Sequence, residues 1–254
     1  PTLQVSTQRT QVPRLVPRMY PPATFRAEPG TWLITGGLGA LGMHTARWLI
    51  EHGATHLLLV SRSADDARRN KALTSLASDH CKVTIAACDV SDQQAVIDVL
   101  DVQPPVRGMV HAAGLLEDQS LAAMDPGAFD RVGKSKVCGA IHLMKAAKHH
   151  ELSLQTMVLY SSLASVTGSP GQGNYAAVNA TLDALAQRWR SDGWPCVSVS
   201  WGPWAGEGMA APTARRHQQE GFTPIAATEA FASLASAIAS NDSHIAIAEA
   251  DWEL

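Results

Sequence analysis

The chain has 254 residues, of which 46% are hydrophobic and 17% charged, so it can bury the core of one α/β domain. A formal net charge of −3 argues against nucleic-acid partners or an anionic membrane surface, and no apolar run approaches the roughly 20 residues of a membrane span. The four cysteines form no CxxC pair, which predicts free thiols and a cytoplasmic location. The ten histidines show no spacing typical of metal ligands, so no metal site is predicted.

Residues 1–29 are rich in proline and show little helical periodicity, which predicts a linker or an edge strand from a preceding region. Residues 30–254 are predicted to form one domain. Seven short apolar runs predict strands, namely TWLIT, HLLLVS, VTIAACD, VRGMVHA, TMVLYSS, PCVSVSW and HIAIAEA. Helices are predicted between them, near 40–52, 64–78, 91–101, 127–149, 174–192 and 227–239.

Apolar strands that each lead into a helix predict a doubly wound, parallel seven-stranded sheet, a Rossmann-like α/β fold. Such sheets bind ligands beyond the carboxyl ends of their strands, so the residues that follow each run carry most of the functional information.

The first strand is followed by GGLGALG, in which Gly37, Gly39 and Gly42 match GxGxxG. Between a strand and a helix these glycines let the backbone approach a pyrophosphate at the helix N-terminus, although a tight turn without a ligand has the same pattern. We predict cofactor contacts at these glycines and at their neighbours Thr35, Leu38 and Leu41.

The second strand ends at Ser61 and Arg62, where NAD enzymes usually carry an acidic residue. Arg62 can pair with a 2′-phosphate, which favours NADPH over NADH, and a solvated arginine is the alternative. The third strand leads to Asp89 and Val90. Asp89 either accepts a hydrogen bond from the adenine amino group or caps the helix that begins near Ser91.

The fourth strand ends in HAAG. The small residues Ala112, Ala113 and Gly114 leave room for a ribose and a nicotinamide across the sheet edge. Small residues at this position also serve close packing, and the sequence leaves both readings open.

Tyr175 stands thirteen residues after Ser162, in a glycine-rich segment that enters a helix. The two residues can orient and protonate a ketone, or they can be a turn cap and a packed ring. A phenol with a reference pKa near 10 needs a nearby cation to act near neutral pH, and Asn179 occupies the place one turn later where a lysine is expected.

The predicted helix 127–149 supplies a candidate for the missing charge. At roughly 100° per residue, Lys136 falls on its apolar stripe and Lys134 on the opposite face. A buried lysine is costly without a partner, so we predict that Lys136 is the cation that acts with Tyr175. The stripe consists of Phe129, Val132, Ala140, Leu143 and Ala147.

These motifs resemble the short-chain dehydrogenase/reductase (SDR) superfamily and, within it, the ketoreductase domains of modular polyketide synthases, over nearly the whole chain. In those ketoreductases the lysine and the asparagine exchange places relative to free-standing members. The carrying segments are TGGLGALG (35–42), VSR (60–62), HAAG (111–114), KVCGA (136–140), YSSLASVTGSPGQGNYAAVNA (160–180), SWGPWA (200–205) and ADW (250–252).

The resemblance implies an SDR-type fold and a catalytic set in which Tyr175 donates the proton and Ser162 orients the ketone. It also implies that Lys136 binds the nicotinamide ribose and tunes Tyr175, and that Asn179 completes a proton relay. Pro203 is an implied cofactor contact. The implied reaction is the NADPH-dependent reduction of a 3-ketoacyl thioester on an acyl carrier protein, with neighbouring polyketide synthase domains as further partners.

The segment Leu116, Glu117 and Asp118 resembles the Leu-Asp-Asp motif of B-type ketoreductases, which form the D-hydroxyl product; a polar turn is the alternative. Thr167 stands where A-type enzymes usually carry tryptophan, and Ala177 where epimerising B-type domains commonly carry proline. The resemblance therefore implies a B1-type enzyme without α-epimerisation.

Residues 206–222 resemble the small mobile lid of this family, and the proline-rich start resembles its junction with a preceding structural half. Further substrate contacts are predicted at Gln172, Trp204 and Met209.

Two other functions remain open. A free-standing NADPH-dependent ketone reductase fits less well, because Lys136 and Asn179 are exchanged. A silent domain that only binds NADPH or scaffolds its neighbours also fits less well, because all four candidate catalytic residues are present.

Overall fold

The computed structural model describes residues 4–5, 10–11, 15–101, 105–206 and 221–251. The strands in these ranges are β1 (Gln4–Val5), β2 (Thr10–Gln11), β3 (Thr31–Thr35), β4 (His56–Ser61), β5 (Lys82–Ala87), β6 (Val106–His111), β7 (Thr156–Ser162), β8 (Cys196–Trp201), β9 (Phe222–Thr223), β10 (His244–Ile247) and β11 (Glu249–Ala250).

Helices connect these strands, and a π-helical segment, Lys134–Cys138, joins two of them. The α-helices are α1 (Ala40–Glu51), α2 (Asp66–Ser75), α3 (Gln93–Asp101), α4 (Pro126–Gly133), α5 (Gly139–His149), α6 (Ala164–Thr167), α7 (Gly173–Ser191) and α8 (Ala227–Ala239). No helix among the described residues is long and apolar enough to cross a membrane.

One seven-stranded sheet organises the molecule, in the order β10-β8-β7-β6-β3-β4-β5 with every neighbouring pair parallel. The predicted doubly wound fold is therefore confirmed. The chain moves outward from β3 through β4 and β5 and then crosses back to β6 on the other side of β3. This reversal opens a crevice at the carboxyl ends of β3 and β6, where ligands bind in such folds.

The alternation of side chains along each strand fills an apolar layer on both faces of the sheet. On β3, Trp32 and Ile34 belong to the layer that includes Trp48 of α1 and Phe231 of α8. Leu33 between them belongs to the opposite layer, which α3, α5 and α7 cover. Both faces are buried, which is why the strands are apolar almost throughout.

The predicted strand HIAIAEA is divided in the structure. Its first half is β10, at the edge of the main sheet, and its second half contains β11, which pairs antiparallel with β9. The predicted seventh strand was therefore too long.

The predicted helix 127–149 is also divided, because the π segment separates α4 from α5. Lys136 is buried and Lys134 is exposed, as the sequence predicted. Phe129, assigned to the same apolar stripe, is 40% exposed, so that assignment was wrong. The wider π turn changes the angle between residues before and after it, and a uniform 100° per residue no longer applies across the segment.

The aromatic ring of Phe25 ties the region before β3 to the domain. It stacks on Trp48 with centroids 4.6 Å apart and meets Trp32 edge-on at 5.5 Å. Residues 15–29 have no regular secondary structure, yet Phe25 and Ala27 are buried.

Candidate active site

A cavity of about 640 Å³ lies at the carboxyl edge of the sheet, above the crevice between β3 and β6. It brings together most of the residues that the sequence singled out. Those that line it are Leu38, Gly39, Leu41, Gly42, Ser61, Arg62, Val90, Ala112, Ala113, Gly114, Leu116, Ser162, Gln172, Tyr175, Pro203 and Trp204.

Several predicted residues lie beside or beneath this cavity rather than on its wall. They are Thr35, Gly37, Asp89, Glu117, Asp118, Lys136 and Asn179. Met209, residues 207–220 of the predicted lid, and Trp252 of the closing motif lie outside the described residues.

The glycine loop between β3 and α1 has no space for side chains at two of its positions. A Cβ on Gly42 would collide with the carbonyl oxygen of Gly36, and a Cβ on Gly37 would lie 2.8 Å from Cβ of Leu59. Gly39 is exposed at the N-terminus of α1. The loop thus packs tightly on β4 and presents backbone to the cavity, an arrangement suited to a pyrophosphate.

Two arginines stand at the end of the cavity formed by β4 and α2. Arg62 was predicted there, and Arg68, from the first turn of α2, was not. Arg68 Nη1 lies 3.5 Å from the carbonyl oxygen of Ser63, which keeps its guanidinium beside the loop. A second arginine six residues after the first was the available sequence signal.

Asp89 does not cap a helix. Its Oδ1 accepts a hydrogen bond from Ser91 N at 2.9 Å, whereas α3 begins at Gln93. Asp92 Oδ1 accepts hydrogen bonds from the backbone of Gln94 and of the residue after it, so Asp92 is the helix cap. The capping alternative for Asp89 was therefore wrong.

Tyr175 lies in the first turn of α7 and is 9% exposed, with Ser162 and Asn179 near its phenol. Asn179 Nδ2 donates to the Tyr175 carbonyl oxygen at 2.8 Å, as the spacing of four residues allows. Its Oδ1 is buried and has no hydrogen-bond partner among the described residues. Such an unsatisfied acceptor marks a place for a water molecule or a ligand donor.

Lys136 approaches the same tyrosine from the π segment. Its Nζ lies 5.6 Å from the Tyr175 ring centroid and donates to the Tyr160 carbonyl oxygen at 2.7 Å. Gly114 makes this approach possible, because a Cβ there would lie 2.9 Å from Cε of Lys136.

His111 holds the backbone of the π segment. Its Nε2 bonds the Lys136 carbonyl oxygen at 2.8 Å, and its Nδ1 bonds Thr35 Oγ1 at 2.7 Å. Burial lowers the pKa of His111 to about 4, so the ring is neutral and Nε2 carries the hydrogen. Thr35, predicted as a cofactor contact, thus faces the interior of the protein.

The pKa values of the central pair are set mainly by burial. Burial raises the pKa of Tyr175, while the Ser162 and Asn179 side chains act in the opposite direction. Burial lowers the pKa of Lys136 to about 8, and the Asp183 carboxylate opposes that fall. At neutral pH Tyr175 therefore holds its proton and most of the Lys136 side chain is an ammonium.

The segment after HAAG is tied to the loop that precedes Tyr175. Leu116 lines the cavity, whereas the Glu117 carboxylate turns away from it and pairs with Arg131, with Nε 2.8 Å from Oε2. Gln172 Nε2 donates to both oxygens of Asp118, at 3.1 and 3.0 Å. The wall beside Tyr175 is thereby held in a fixed shape.

The residues present fit a nicotinamide dinucleotide. The glycine loop exposes backbone where a pyrophosphate binds, and small residues line the crevice at the end of β6. The unpaired Asn179 oxygen lies in the same cluster as Tyr175. The fold and cavity together define a nicotinamide-dependent oxidoreductase.

Comparison with known proteins gives the family. A family model described as "KR domain" matches residues 30–206. The chain is 44% identical over 229 residues to the pikromycin polyketide synthase component PikAIII of Streptomyces venezuelae, an alignment that covers 88% of this chain and 14% of that protein. The chain therefore belongs to the ketoreductase (KR) domain family of modular polyketide synthases, and it spans a small part of this relative.

Solved structures agree with this assignment. PlmKR1, a ketoreductase from the first module of phoslactomycin biosynthesis in Streptomyces sp. HK803, superposes with a TM-score of 0.90 at 35% identity, covering 99% of this chain and 60% of that one. A-type ketoreductases from a modular polyketide synthase superpose with a TM-score of 0.84 at 36% identity, covering 92% and 50%.

Proposed function

We propose that this ketoreductase domain uses NADPH to reduce the keto group of a 3-ketoacyl thioester carried on an acyl carrier protein, forming the D-configured 3-hydroxyacyl product. The observation that carries the proposal is one cluster: Tyr175 and Ser162 line the cavity that the glycine loop also lines, and Lys136 and Asn179 lie behind them. Its relatives are parts of modular synthases, which supports a carrier-bound substrate and neighbouring synthase domains as partners.

A nicotinamide dinucleotide would be held by the glycine loop and the small residues at the end of β6, and it would supply the hydride for the ketone carbon. The Ser162 hydroxyl orients the ketone oxygen toward Tyr175, which gives its phenolic proton to the developing alkoxide. Because burial raises the pKa of Tyr175, the proton is present before the reaction. Proton transfer of this kind contributes about 10² to 10⁴ in rate.

The phenolate that Tyr175 leaves behind requires stabilisation. The Lys136 ammonium lies above the ring, and the Ser162 and Asn179 side chains favour the ionised phenol. Asn179 Oδ1 is free to hold a water molecule through which the proton is restored. These groups give the cluster both a proton donor and a path for its recovery.

NADPH is proposed rather than NADH because two arginines stand where the ribose phosphate of NADPH would lie. Arg62 and Arg68 both line that end of the cavity. Planar guanidinium groups bind phosphate oxygens strongly and with defined geometry.

The D configuration is proposed from the resemblance of Leu116, Glu117 and Asp118 to the B-type motif. Leu116 and Gln172 line the cavity, and Gln172 donates a hydrogen bond to Asp118. The Glu117 side chain pairs with Arg131 and does not line the cavity. We also propose a B1-type reaction without α-epimerisation. Chiral chromatography of the product tests this assignment, and an L-configured product would refute it.

The reaction itself is tested by the loss of NADPH absorbance with a 3-ketoacyl thioester, comparing wild-type protein with Tyr175→Phe. We expect turnover in the wild type and a fall of about 10² to 10⁴ in the variant, with NADPH binding retained. Tyr20→Phe is the matched control, since its phenol bonds Asp242 away from the cavity. Full turnover in Tyr175→Phe would disprove the role of Tyr175, and NADPH binding without turnover in the wild type would favour a silent domain.

A further inference from the structure

A largely shielded carboxylate beneath the catalytic cluster has no part in the mechanism above. Asp183 lies on α7, four and eight residues after Asn179 and Tyr175, and so shares a helix face with both. Its side chain is only 12% exposed. Buried carboxylates are costly unless their oxygens are satisfied, so its partners indicate what it holds in place.

The first partner leads to Ser162. Ser165 Oγ, on the short helix α6, donates to Asp183 Oδ2 at 2.7 Å. Ser162 Oγ in turn accepts a hydrogen bond from the backbone N–H of Ala164, next to Ser165, at 3.3 Å. The contact between Asp183 and Ser165 therefore ties the turn that follows Ser162 to the helix that carries Tyr175.

A second series of contacts reaches Asn179. Ser200 Oγ on β8 lies 3.5 Å from Asp183 Oδ2 and 3.4 Å from Ser161 Oγ, and its single hydroxyl proton can be donated to only one of these oxygens. Ser161 Oγ donates to the Asn179 carbonyl oxygen at 3.2 Å. Ser200 thus lies between Asp183 and the backbone contact of Asn179, and its contacts are longer than the one between Ser165 and Asp183.

The negative charge of Asp183 also acts on Lys136. Burial lowers the pKa of Lys136, and Asp183 is the group that raises it. Of the other ionisable groups near this pair, Tyr175 and His111 are uncharged at neutral pH. His244 of β10 also contacts Asp183, with Nε2 3.5 Å from Oδ2.

We propose that Asp183 is a positioning residue for ketone reduction, which fixes the Ser162 turn against the Tyr175 helix. This inference rests on the proposed function. A purely structural residue would instead fasten α7 to the sheet and leave the chemistry unaffected.

Three variants of the whole chain separate these roles. Asp183→Asn removes the charge but keeps one oxygen acceptor. Ser165→Ala keeps the charge of Asp183 but removes the contact that leads to Ser162, together with the 3.1 Å contact between Ser165 Oγ and Ser200 Oγ. Ser198→Ala is the matched control, because Ser198 Oγ donates to Asp183 Oδ1 at 2.6 Å from β8 and has no contact with the Ser162 turn.

The measurements are kcat, KM and their pH dependence with NADPH and a 3-ketoacyl thioester, together with the NADPH dissociation constant. For Asp183→Asn we expect kcat to fall about tenfold or more with little change in NADPH binding, since small displacements of reacting groups are costly. We also expect the alkaline limb of its kcat profile to move to lower pH, because Lys136 then loses its proton more easily. Ser165→Ala should lower kcat without moving that limb.

Hydrogen exchange without cofactor gives a readout independent of turnover. The segment 161–168 should exchange faster in Asp183→Asn and Ser165→Ala than in wild type or Ser198→Ala. The inference is overturned if Asp183→Asn keeps the wild-type kcat and alkaline limb, or if Ser198→Ala lowers kcat as much as Ser165→Ala. If Asp183→Asn does not fold, the comparison of kcat between Ser165→Ala and Ser198→Ala tests the inference by itself. A wild-type protein without turnover would instead overturn the proposed function.

Discussion

Lys136→Met should make the protein without cofactor more stable while abolishing its activity. Burial lowers the pKa of Lys136 from 10.5 to about 8, which corresponds to a cost of roughly 3 kcal/mol for keeping the ammonium inside the folded protein at neutral pH. Methionine keeps most of the apolar stem. The lost hydrogen bond to the Tyr160 carbonyl oxygen costs about 1 kcal/mol.

The expected net gain in unfolding free energy at pH 7 is therefore about 2 kcal/mol, or a rise in Tm of about 4–8 °C for a domain of this size. The gain depends on pH in a defined direction. The folded lysine loses its proton near pH 8 and the unfolded lysine only near 10.5, so wild-type stability rises with pH across that window. The advantage of the methionine variant should therefore shrink between pH 8 and 10.5.

Urea denaturation of the protein without cofactor, at pH 7 and again near pH 10, measures both quantities. Lys134→Met is the matched control, since this exposed lysine two residues earlier should change stability by less than about 0.5 kcal/mol. A methionine variant at position 136 that is less stable than wild type at pH 7, or a gain that does not change with pH, would refute the reasoning.

Other predictions concern the cofactor end of the cavity and the glycines. In steady-state assays Arg62→Ala should raise KM for NADPH about 10- to 100-fold and leave KM for NADH unchanged. Arg68→Ala should have a smaller effect in the same direction. Equal losses with both cofactors would contradict a contact with the ribose phosphate. In thermal denaturation Gly42→Ala should lower Tm, because its Cβ would collide with a backbone carbonyl oxygen of the glycine loop. Gly133→Ala, whose Cβ would meet one side-chain atom at 3.9 Å, should instead stabilise the helical stretch by about 0.5–1 kcal/mol, and a loss of stability there would show that the π segment needs this glycine.

The sequence predicted the sheet well because burial on both faces makes each strand a short apolar run that local composition reveals. It also predicted a buried Lys136, since one face of a helix is readable from spacing. The π segment was not predictable in this way. Two contacts hold this segment against His111. His111 Nε2 bonds the Lys136 carbonyl oxygen, and Gly139 leaves room for the ring, because a Cβ there would lie 2.9 Å from Cε1 of His111. Those contacts join residues distant in the chain.

The roles of the polar groups of the site also depend on contacts between residues that are distant in the chain. Asp89 and Asp92 are both plausible caps by residue type, and only the observed start of α3 distinguishes them. Asp183 lies in an ordinary amphipathic helix, and its partners come from α6, β8 and β10. The role of a buried carboxylate depends on contacts that no local pattern contains.

The π segment also bears on how relatives are aligned. A π turn holds more residues per turn than an α-helix, so the residues after it are offset around the axis relative to those before it. Here the offset coincides with the turn that carries Lys136. Helical spacing counted along α4 therefore does not carry through Lys136 into α5, and an alignment of relatives needs a separate anchor on each side of this segment.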